Sequence, residues 1–377
     1  MKVAVLGTGL MGSVIAWDLS RSEGVDRVVV ADLDEERLQA VRKRVGGKKL
    51  EAEVLDLREK EKTAKFLRGF DVAASALPHG VVHASDVAAV ASGTKMVNIA
   101  FEDEQMGLDD AARRTNSLLV PGCGVAPGLG GILLVDALQK LEGGDEGHIL
   151  VGGLPQRPLP PYGYKLVFSI VGLLREYIEE ARIIRDGRLK RVRPFDTVEE
   201  VEFPAPVGNL EAFCTDGLAS LVYTVKGIRV LDEKTLRWPG HAEKMNLLIE
   251  SGFFSKEQLD VGGTKVSPLE VSWAVLGRKL SEGDPRDITV MRVIARSKKE
   301  EVVYDLVDKY DEREKVTSMG RTTGYTASIV TQMVGSGEIR SKGVLPPEKA
   351  VTGGKVTKLL KELGRRGVKV KRSFRSL

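Results

Sequence analysis

Three glycines near the N-terminus and one aspartate after them have the spacing of a dinucleotide site. Gly7, Gly9 and Gly12 form the pattern GxGxxG after the apolar run at residues 2–6, and Asp32 follows a second apolar run. The first glycine permits a tight turn, the second lets a pyrophosphate approach, and the third lets the helix pack on its strand. Helix N–H groups then bind phosphate, and the acid accepts hydrogen bonds from a ribose 2′-hydroxyl. The chemistry of such a site is hydride transfer with a nicotinamide.

The acid favours NAD as the cofactor. The carboxylate of Asp32 would repel the 2′-phosphate of NADP, and no cluster of Arg or Ser lies near it. A glycine turn in an unrelated α/β protein is the alternative reading of the glycines. The residues predicted to contact NAD are Gly7, Gly9, Leu10, Met11, Gly12, Asp32, Asp56, Ala76, Leu77, Pro78, Val125 and Pro127. For Asp56, a helix N-cap is the alternative.

Composition is that of a water-soluble enzyme of ordinary size. The 377 residues suggest about two domains, and 42% apolar residues can build full cores. A net charge of +4 indicates no nucleic-acid partner, and no apolar run is long enough to span a membrane. A strand that begins at residue 2 leaves no room for a signal peptide. Two cysteines indicate neither a disulfide framework nor a zinc site, so we expect a cytoplasmic location.

Strands and helices alternate through the first 120 residues. Strand-like runs are predicted at residues 2–6, 28–31, 50–55, 71–76, 95–99 and 117–120, with five helices between them. This order predicts an α/β fold with a doubly wound parallel sheet, a Rossmann domain, whose ligands lie beyond the carboxyl ends of the strands. The regularity is lost beyond residue 145, where strand-like pieces are separated by Pro and Gly.

Two domains follow from this change of pattern. Residues 1–127 are predicted to form the NAD-binding Rossmann domain, completed by about 311–377. Residues 128–310 are predicted to form an inserted α+β domain on a mixed sheet, for catalysis and dimerisation. The basic tail from residue 355 has leucines at helical spacing, so we predict a docked helix there and not a nucleic-acid arm.

A glycine-rich elbow follows the sixth predicted strand. The segment PGCGVAPG, residues 121–128, precedes a predicted helix over residues 129–141. Its position at a strand's carboxyl end opens a second helix N-terminus onto the cofactor crevice. Cys123 would face that crevice and line the substrate pocket, although a small buried cysteine more often only packs.

Several motifs together resemble the saccharopine dehydrogenase-like family. They are VGGLPQRP, PPYGYK, LEAFCTDGL, TLRWPGHAEK and GCGVAPG, and they occur in order over nearly the whole chain. The resemblance is strongest to the lysine 6-dehydrogenase branch. It implies NAD-linked oxidation of lysine at the ε-carbon, giving 2-aminoadipate 6-semialdehyde, which cyclises to piperideine-6-carboxylate, and ammonia. Saccharopine-forming relatives carry an Arg near the position of Thr215, which would hold a carboxylate of the larger substrate.

Amine oxidation requires a neutral nitrogen and therefore a proton acceptor. The reference pKa of the lysine ammonium is ~10.4, so burial or a base must deliver the free amine. His241, Lys165 and Asp216 are the candidates for catalysis. Each has a structural alternative: a hydrogen-bonded helix-start histidine, a surface lysine and a loop cap. His79 is a weaker candidate, and His83 and His148 look structural.

The substrate's α-carboxylate calls for a cation. Arg237 is our first choice because a guanidinium grips a carboxylate with two hydrogen bonds, and a structural ion pair is the alternative. The other residues predicted to bind substrate are Cys123, Tyr164, Thr235, Lys244 and Thr323, with Arg321 as a further pocket residue. Glu102 and Asp103 could place negative charge near a cationic substrate. No spacing of ligands suggests a metal.

Three functions remain open from the sequence. The first is a dehydrogenase of free lysine. The second is a dehydrogenase of a secondary amine such as saccharopine or carboxynorspermidine, and the third is a non-catalytic NAD-binding protein. We expect a small-molecule substrate, no nucleic-acid or membrane partner, and a homodimer or larger homo-oligomer.

Overall fold

The computed structural model describes residues 1–377, and the chain divides into two compact units. The first unit comprises Met1–Lys140, Ala219–Lys226 and Gly320–Val370. The second comprises Leu141–Leu218, Gly227–Met319 and Lys371–Leu377. Each unit is therefore assembled from three separate segments of chain.

The strands, in chain order, are β1 (Lys2–Leu6), β2 (Arg27–Asp32), β3 (Leu50–Val54), β4 (Val72–Ser75), β5 (Met96–Asn98), β6 (Leu118–Val120), β7 (Glu146–Pro155), β8 (Ala181–Arg185), β9 (Arg188–Val192), β10 (Val198–Phe203), β11 (Gly208–Cys214), β12 (Val230–Arg237), β13 (Leu259–Val261), β14 (Thr264–Val266), β15 (Asp287–Arg296), β16 (Glu300–Lys309), β17 (Gly343–Val344) and β18 (Val370–Ser376).

The α-helices are α1 (Leu10–Arg21), α2 (Glu35–Val45), α3 (Lys60–Leu67), α4 (Val82–Ser92), α5 (Asp109–Arg114), α6 (Leu129–Leu138), α7 (Ile170–Ile178), α8 (Leu221–Thr224), α9 (His241–Glu250), α10 (Pro268–Ser281), α11 (Ser318–Gly335), α12 (Pro347–Ala350) and α13 (Gly354–Arg365). A 3₁₀ helix at Asp103–Leu108 precedes α5. None of these helices has the length and apolar content needed to cross a membrane.

The sheet of the first unit is parallel throughout, which confirms the predicted doubly wound class. Its order is β17-β6-β5-β4-β1-β2-β3. The reversal of strand order beside β1 is the switch point at which such sheets bind ligands. The strand β17 was not predicted, because two residues are too few to show any periodicity. Apolar residues of the strands and of α3 and α4 fill the core, among them Leu6, Leu67 and Met96.

The second unit contains the predicted mixed sheet. Its main path is β10-β11-β12-β7-β15-β16-β18, and β8 joins β12 and carries β9. Only β7 and β12 pair in parallel among the pairs that position the site, whereas β11 and β15 run antiparallel to their neighbours. The prediction of a docked helix for the whole tail was wrong in part. The helix α13 is followed by the strand β18, whose residues VKRSFRS lack the apolar run that marks a strand.

Candidate active site

The loop between β1 and α1 is shaped by two glycines that no other residue could replace without movement. Gly7 has φ +86°, a conformation rare for other residues, and a Cβ there would lie 2.8 Å from the carbonyl oxygen of Ala76. A Cβ on Gly12 would lie 1.9 Å from the carbonyl oxygen of Gly7. A Cβ on Gly9, in contrast, would meet nothing within 4 Å. The loop is therefore packed on the protein side and open beside Gly9.

The N-terminus of α1 offers unpaired donors to this open space. The first intrahelical hydrogen bond runs from the N–H of Ser13 to the carbonyl of Gly9, at 3.0 Å. The N–H groups of Leu10 and Met11 precede it and lack helical partners, as at any helix start. Leu10 is 46% exposed. The helix end therefore has the donors, the partial positive charge and the space that a pyrophosphate requires.

Asp32 is held as a carboxylate at the end of β2. The N–H and hydroxyl of Thr8 donate to one of its oxygens at 2.6 and 2.8 Å, and the N–H of Asp34 donates to the other at 3.1 Å. Burial disfavours the charge, but these hydrogen bonds outweigh burial and place the pKa of Asp32 below its usual value. A carboxylate has about four acceptor positions, so capacity for a ribose hydroxyl remains.

Asp56 pairs with a neighbouring arginine and is not the N-cap of a helix, because Glu59 holds that position in α3. The side chain of Arg58 pairs with it at 2.7 Å, and the N–H of Arg58 donates to it at 3.0 Å. The hydrogen bonds from Arg58 lower the pKa of Asp56 to about 2. These contacts shape the turn before α3. Its contact with the adenine stays a prediction.

The loops after β4 and β5 are joined by one carboxylate. Glu102 accepts the N–H of Gly80 at 3.1 Å and lies 3.2 Å from Nδ1 of His79. This contact fixes the loop that begins with Ala76, Leu77 and Pro78, the segment predicted to lie beside the cofactor. The carboxylate of Glu102, predicted to lie near a cationic substrate, thus binds His79 and Gly80 of the neighbouring loop. Asp103 accepts the hydroxyl of Tyr223 at 3.0 Å.

The glycine elbow forms a compact turn after β6. The N–H of Cys123 donates to the carbonyl of Asn98 at 2.7 Å, and the N–H of Gly124 donates to the carbonyl of Pro127 at 2.8 Å. Gly128 has φ +129°, and a Cβ there would lie 2.2 Å from the carbonyl oxygen of Gly124. The backbone of the elbow therefore leaves no room for a side chain at this glycine. The carbonyl of the next predicted contact, Val125, accepts the N–H of Gly130.

Cys123 lies inside the first unit and not at its surface. It is fully buried, and burial, with the nearby charge of Glu348, raises the pKa of its thiol. Glu348 accepts hydrogen bonds from the hydroxyls of Ser220 and Thr224. A protonated, enclosed thiol fits the packing alternative, and its substrate contact stays a prediction. Thr323 is also buried, with its methyl group 3.1 Å from a Cβ placed on Gly124.

In the second unit, β12 presents a row of buried polar side chains. Glu233, Thr235 and Arg237 alternate with their neighbours and so share one face of the strand. All three are at most 4% exposed. The hydroxyl of Thr215, the residue after β11, lies 2.5 Å from Oε2 of Glu233 and 2.8 Å from the hydroxyl of Thr235. The row places an acid, two hydroxyls and a cation side by side.

Arg237 is a charged group held inside the unit. It donates to Glu176 at 2.5 Å and to the carbonyl of Leu236 at 2.9 Å, and its guanidinium carbon lies 4.5 Å from the ring centre of Tyr164. Burial opposes its charge, but Tyr164, Tyr177 and Glu176 outweigh burial and raise its pKa. Its Nε and the hydroxyl of Tyr164 are both buried and lack hydrogen-bond partners.

His241 has both ring nitrogens engaged. Its Nδ1 lies 2.8 Å from the carbonyl oxygen of Tyr162, so it must carry the proton, and the hydroxyl of Tyr177 donates to Nε2 at 2.8 Å. Burial and the charge of Arg237 lower the pKa of His241 to about 3. It is therefore neutral at physiological pH. The contacts fit the structural alternative, and its role as a base stays a prediction.

The ammonium of Lys165 caps the C-terminal end of α10. It donates to the carbonyl oxygens of Ser281, Glu282 and Gly283 at 3.2, 3.1 and 2.9 Å. A cation at this helix end also interacts favourably with the helix dipole. Burial lowers the pKa of Lys165. Its three donors are thus all occupied within the second unit, and catalysis by this residue also stays a prediction.

The remaining second-unit candidates are a paired acid and an exposed cation. Asp216 accepts the backbone N–H of Arg182 at 3.0 Å and its Nε at 2.9 Å. Lys244 lies on α9 with an exposed side chain. Of the predicted residues of this unit, the structure brings Tyr164, Arg237 and His241 into direct contact, and Thr235 shares the face of β12.

Three acids in this region were missed from the sequence. Glu176 pairs with Arg237, Glu233 bonds to Thr215, and Glu211 accepts the N–H groups of Gly240 and Ala242 at the start of α9. One signal was available, since DEKTLR places polar residues on both faces of a strand that lies in the interior of a sheet. Such a pattern indicates buried polar contacts and not a solvent face.

Comparison with known proteins agrees with this architecture. Residues 3–120 match the family model of the saccharopine dehydrogenase NADP-binding domain, and residues 124–368 match that of the saccharopine dehydrogenase C-terminal domain. The first unit thus contains a nicotinamide-dinucleotide-binding domain. A solved structure of apo saccharopine dehydrogenase (L-Glu forming) from Saccharomyces cerevisiae superposes with a TM-score of 0.80, at 20% identity and over 99% of both chains.

This chain spans only part of the length of the curated relatives that it matches. The alpha-aminoadipic semialdehyde synthase of Rattus norvegicus is 22% identical over 71% of this chain, which spans 30% of that protein. The NADP⁺-dependent, L-glutamate-forming saccharopine dehydrogenase of Schizosaccharomyces pombe is 23% identical over 68% of this chain. The match covers 58% of that protein. The two family models match in order along the sequence and together cover nearly the whole chain. This chain therefore belongs to the saccharopine dehydrogenase family.

Proposed function

We propose that this protein is an NAD-dependent dehydrogenase of free L-lysine. It oxidises the ε-carbon to give 2-aminoadipate 6-semialdehyde, ammonia and NADH. The observation that carries the proposal is the contact between Thr215 and Glu233. Where saccharopine-forming relatives hold a substrate carboxylate with an arginine, this chain has a hydroxyl bonded to a buried acid. The position therefore offers no cation to the carboxylate of a glutarate arm, which disfavours saccharopine as the substrate.

Two unpartnered donors support Arg237 as the contact for the α-carboxylate. The Nε of Arg237 and the hydroxyl of Tyr164 are buried without acceptors, and a buried donor without a partner costs free energy. A carboxylate supplies acceptors to both groups. Asp216 and Lys165, in contrast, have their donors or acceptors occupied by neighbours. We therefore assign substrate anchoring to Arg237 and Tyr164.

NAD is the proposed cofactor, although the matching N-terminal family model is named for NADP. The pyrophosphate would lie against Gly9 and the start of α1, and the ribose against Asp32, whose pKa is lowered and which is therefore charged. A charged acid at this position repels a 2′-phosphate. When bound, the nicotinamide would accept the hydride that leaves the ε-carbon.

The function is tested by absorbance at the NADH band with the purified protein. Reaction mixtures contain NAD or NADP with L-lysine, saccharopine or carboxynorspermidine. We expect NADH to form with lysine and NAD. If the nucleotide is reduced only with a secondary amine, the protein has a saccharopine-type activity and the proposal is wrong. The names of the relatives point to that alternative. Nucleotide binding without reduction by any amine would favour a non-catalytic role.

The cofactor assignment makes a prediction for Asp32→Ala. Loss of the ribose contact is expected to raise the KM for NAD by about 10-fold or more, since one charged hydrogen bond is worth about 1.5–3 kcal/mol. The kcat should change little, because the substitution lies far from the reacting carbon. Steady-state kinetics with both nucleotides measure the effect. Asp34→Ala, which removes the cap of α2, is the matched control. An unchanged KM for NAD would refute the assignment.

A further inference from the structure

Glu233 and Thr235 of β12 and Thr215, directly after β11, form a chain of three buried polar groups. Glu233, Thr215 and Thr235 are 2%, 3% and 4% exposed. The hydroxyl of Thr215 donates to Oε2 of Glu233 at 2.5 Å, and the hydroxyls of Thr215 and Thr235 lie 2.8 Å apart. The two hydroxyls therefore form an unbroken hydrogen-bonded path that ends at a carboxyl group.

The charged groups around Glu233 include no cation that pairs with it. Glu176 of α7 and Asp216 of the loop after β11 both repel a negative charge there, and Asp216 is itself bound by Arg182 of β8. Cys214, at the end of β11, also lies near enough to interact electrostatically. Arg237 lies on the same face of β12 but pairs with Glu176.

This environment sets the protonation of Glu233. Burial and the charge of Glu176 raise the pKa of Glu233 to about 8, and the hydrogen bonds from Thr215 and from the N–H of Gly217 offset part of that effect. A general base works best when its pKa lies near the working pH. Glu233 thus gains and loses a proton in the range in which an amine must be deprotonated.

We propose that Glu233 is the proton acceptor for the substrate amine and that it acts through the hydroxyls of Thr235 and Thr215. The proposal rests on the proposed oxidation of a primary amine. The substrate ammonium gives one proton to Thr235, which passes its own proton to Thr215, which in turn protonates the carboxylate of Glu233. The nitrogen keeps the electron pair of the broken N–H bond. That pair forms the C=N bond as hydride leaves the ε-carbon for the nicotinamide.

The spacing along β12 suits a lysine anchored by Arg237. Residues two apart on a strand lie about 7 Å from one another, so Thr235 and Arg237 are separated by about the reach of a four-carbon side chain. A substrate with its α-carboxylate at Arg237 can therefore direct its ε-nitrogen towards Thr235. Thr235 is the contact with substrate, and Glu233 is a positioning residue that stores the proton behind it.

The test is the pH dependence of kcat/KM for lysine in wild type and variants. In the wild type, kcat/KM should rise with pH and level off above about 8. Glu233→Gln keeps the hydrogen-bond acceptor for Thr215 but cannot take a proton. Its kcat/KM should therefore no longer rise with pH and should be about 10²–10⁴-fold lower than that of the wild type. Thr215→Val interrupts the path with the acid intact and should lose as much. Thr215→Ser should restore activity, and Glu200→Gln, exposed on β10, should match wild type.

A second measurement covers the case in which Glu233→Gln does not fold. In wild type, part of the infrared band of protonated carboxyl groups should disappear on raising the pH through about 8, and Thr215→Val should shift this transition. The part that belongs to Asp86, whose pKa burial raises to about 7, should be the same in both proteins. The relay is overturned if Thr215→Val retains the wild-type rate, or if Glu233→Gln retains the pH limb. If the wild type oxidises no lysine at any pH, the proposed function itself fails, and the relay fails with it.

Discussion

Replacement of Arg237 by alanine is expected to lower the free energy of unfolding by about 3 kcal/mol. The substitution leaves the carboxylate of Glu176 without its partner, and breaking a buried pair on one side costs about 3–5 kcal/mol. The lower end applies because the side chain of Glu176 is 26% exposed. Packing of the guanidinium on the Tyr164 ring is lost as well. Urea unfolding of the purified variant measures the change.

Two further variants distinguish the loss of the Arg237–Glu176 ion pair from a nonspecific loss of stability. Arg237→Ala combined with Glu176→Ala should recover part of the loss, because no charge is then left unpaired. Arg292→Ala is the matched control, since its guanidinium also lies over a ring, that of Phe203, and pairs with Asp305. Its acid is 30% exposed and the arginine itself is 18% exposed, so a smaller loss is expected. Equal losses for Arg237 and Arg292 would contradict the argument.

The same residue carries an expectation about substrate choice. Arg237→Lys keeps the positive charge beside Glu176 but loses the planar fork that binds a carboxylate with two hydrogen bonds. The ratio of kcat/KM for lysine to that for cadaverine, which lacks the carboxylate, should therefore fall by about 10-fold or more. A variant that folds and still prefers lysine as strongly as wild type would remove Arg237 from the substrate site.

Two alanine substitutions in the nucleotide loop are expected to act in different ways. In Gly12→Ala the new methyl group would lie 1.9 Å from a backbone oxygen, so the loop or α1 must move. We expect a loss of about 1–3 kcal/mol in stability and a fall in NAD affinity of about 100-fold or more. Thermal unfolding and calorimetric titration with NAD measure the two effects.

Gly9→Ala tests whether glycine is needed at this position for NAD binding and not for folding. Gly9 has φ −63°, which any residue adopts, and a Cβ there meets nothing within 4 Å. Stability should therefore change by less than about 0.5 kcal/mol. Affinity for NAD should still fall by about 10-fold or more, because the methyl group occupies the space of the pyrophosphate. Gly364→Ala, on α13, is the control that should alter neither binding nor folding adversely. Wild-type NAD affinity in Gly9→Ala would be evidence that the phosphates bind elsewhere.

The fold of the first unit could be predicted from the sequence because its signals are local. The apolar run before Gly7 forms β1, and the acid after the second run, Asp32, ends β2. Segments with weak local signals were missed. The strand β17 is two residues long, and the strand β18 is basic and mostly exposed. Both owe their conformation to a neighbouring strand and not to their own pattern.

The residues of the site were harder to predict because their roles depend on distant contacts. Lys165 was chosen for its residue type, but its partners are three carbonyl groups more than 100 positions away in the sequence. His241 is held by Tyr162 and Tyr177, and its pKa of about 3 follows from that enclosure. Glu233 was missed because its shifted pKa is a property of burial, which appears only after folding.

The interleaving of the two units sets the order in which the protein can be completed during translation. The parallel sheet has six of its strands by Val120, but its edge strand β17 is made only at Gly343–Val344. The strands of the mixed sheet up to β16 leave the ribosome in between. A nascent chain must therefore keep the edge of β6 unpaired while most of the second unit is synthesised. Exposed edges of this kind favour pairing with other chains, so this interval is a period of vulnerability to aggregation.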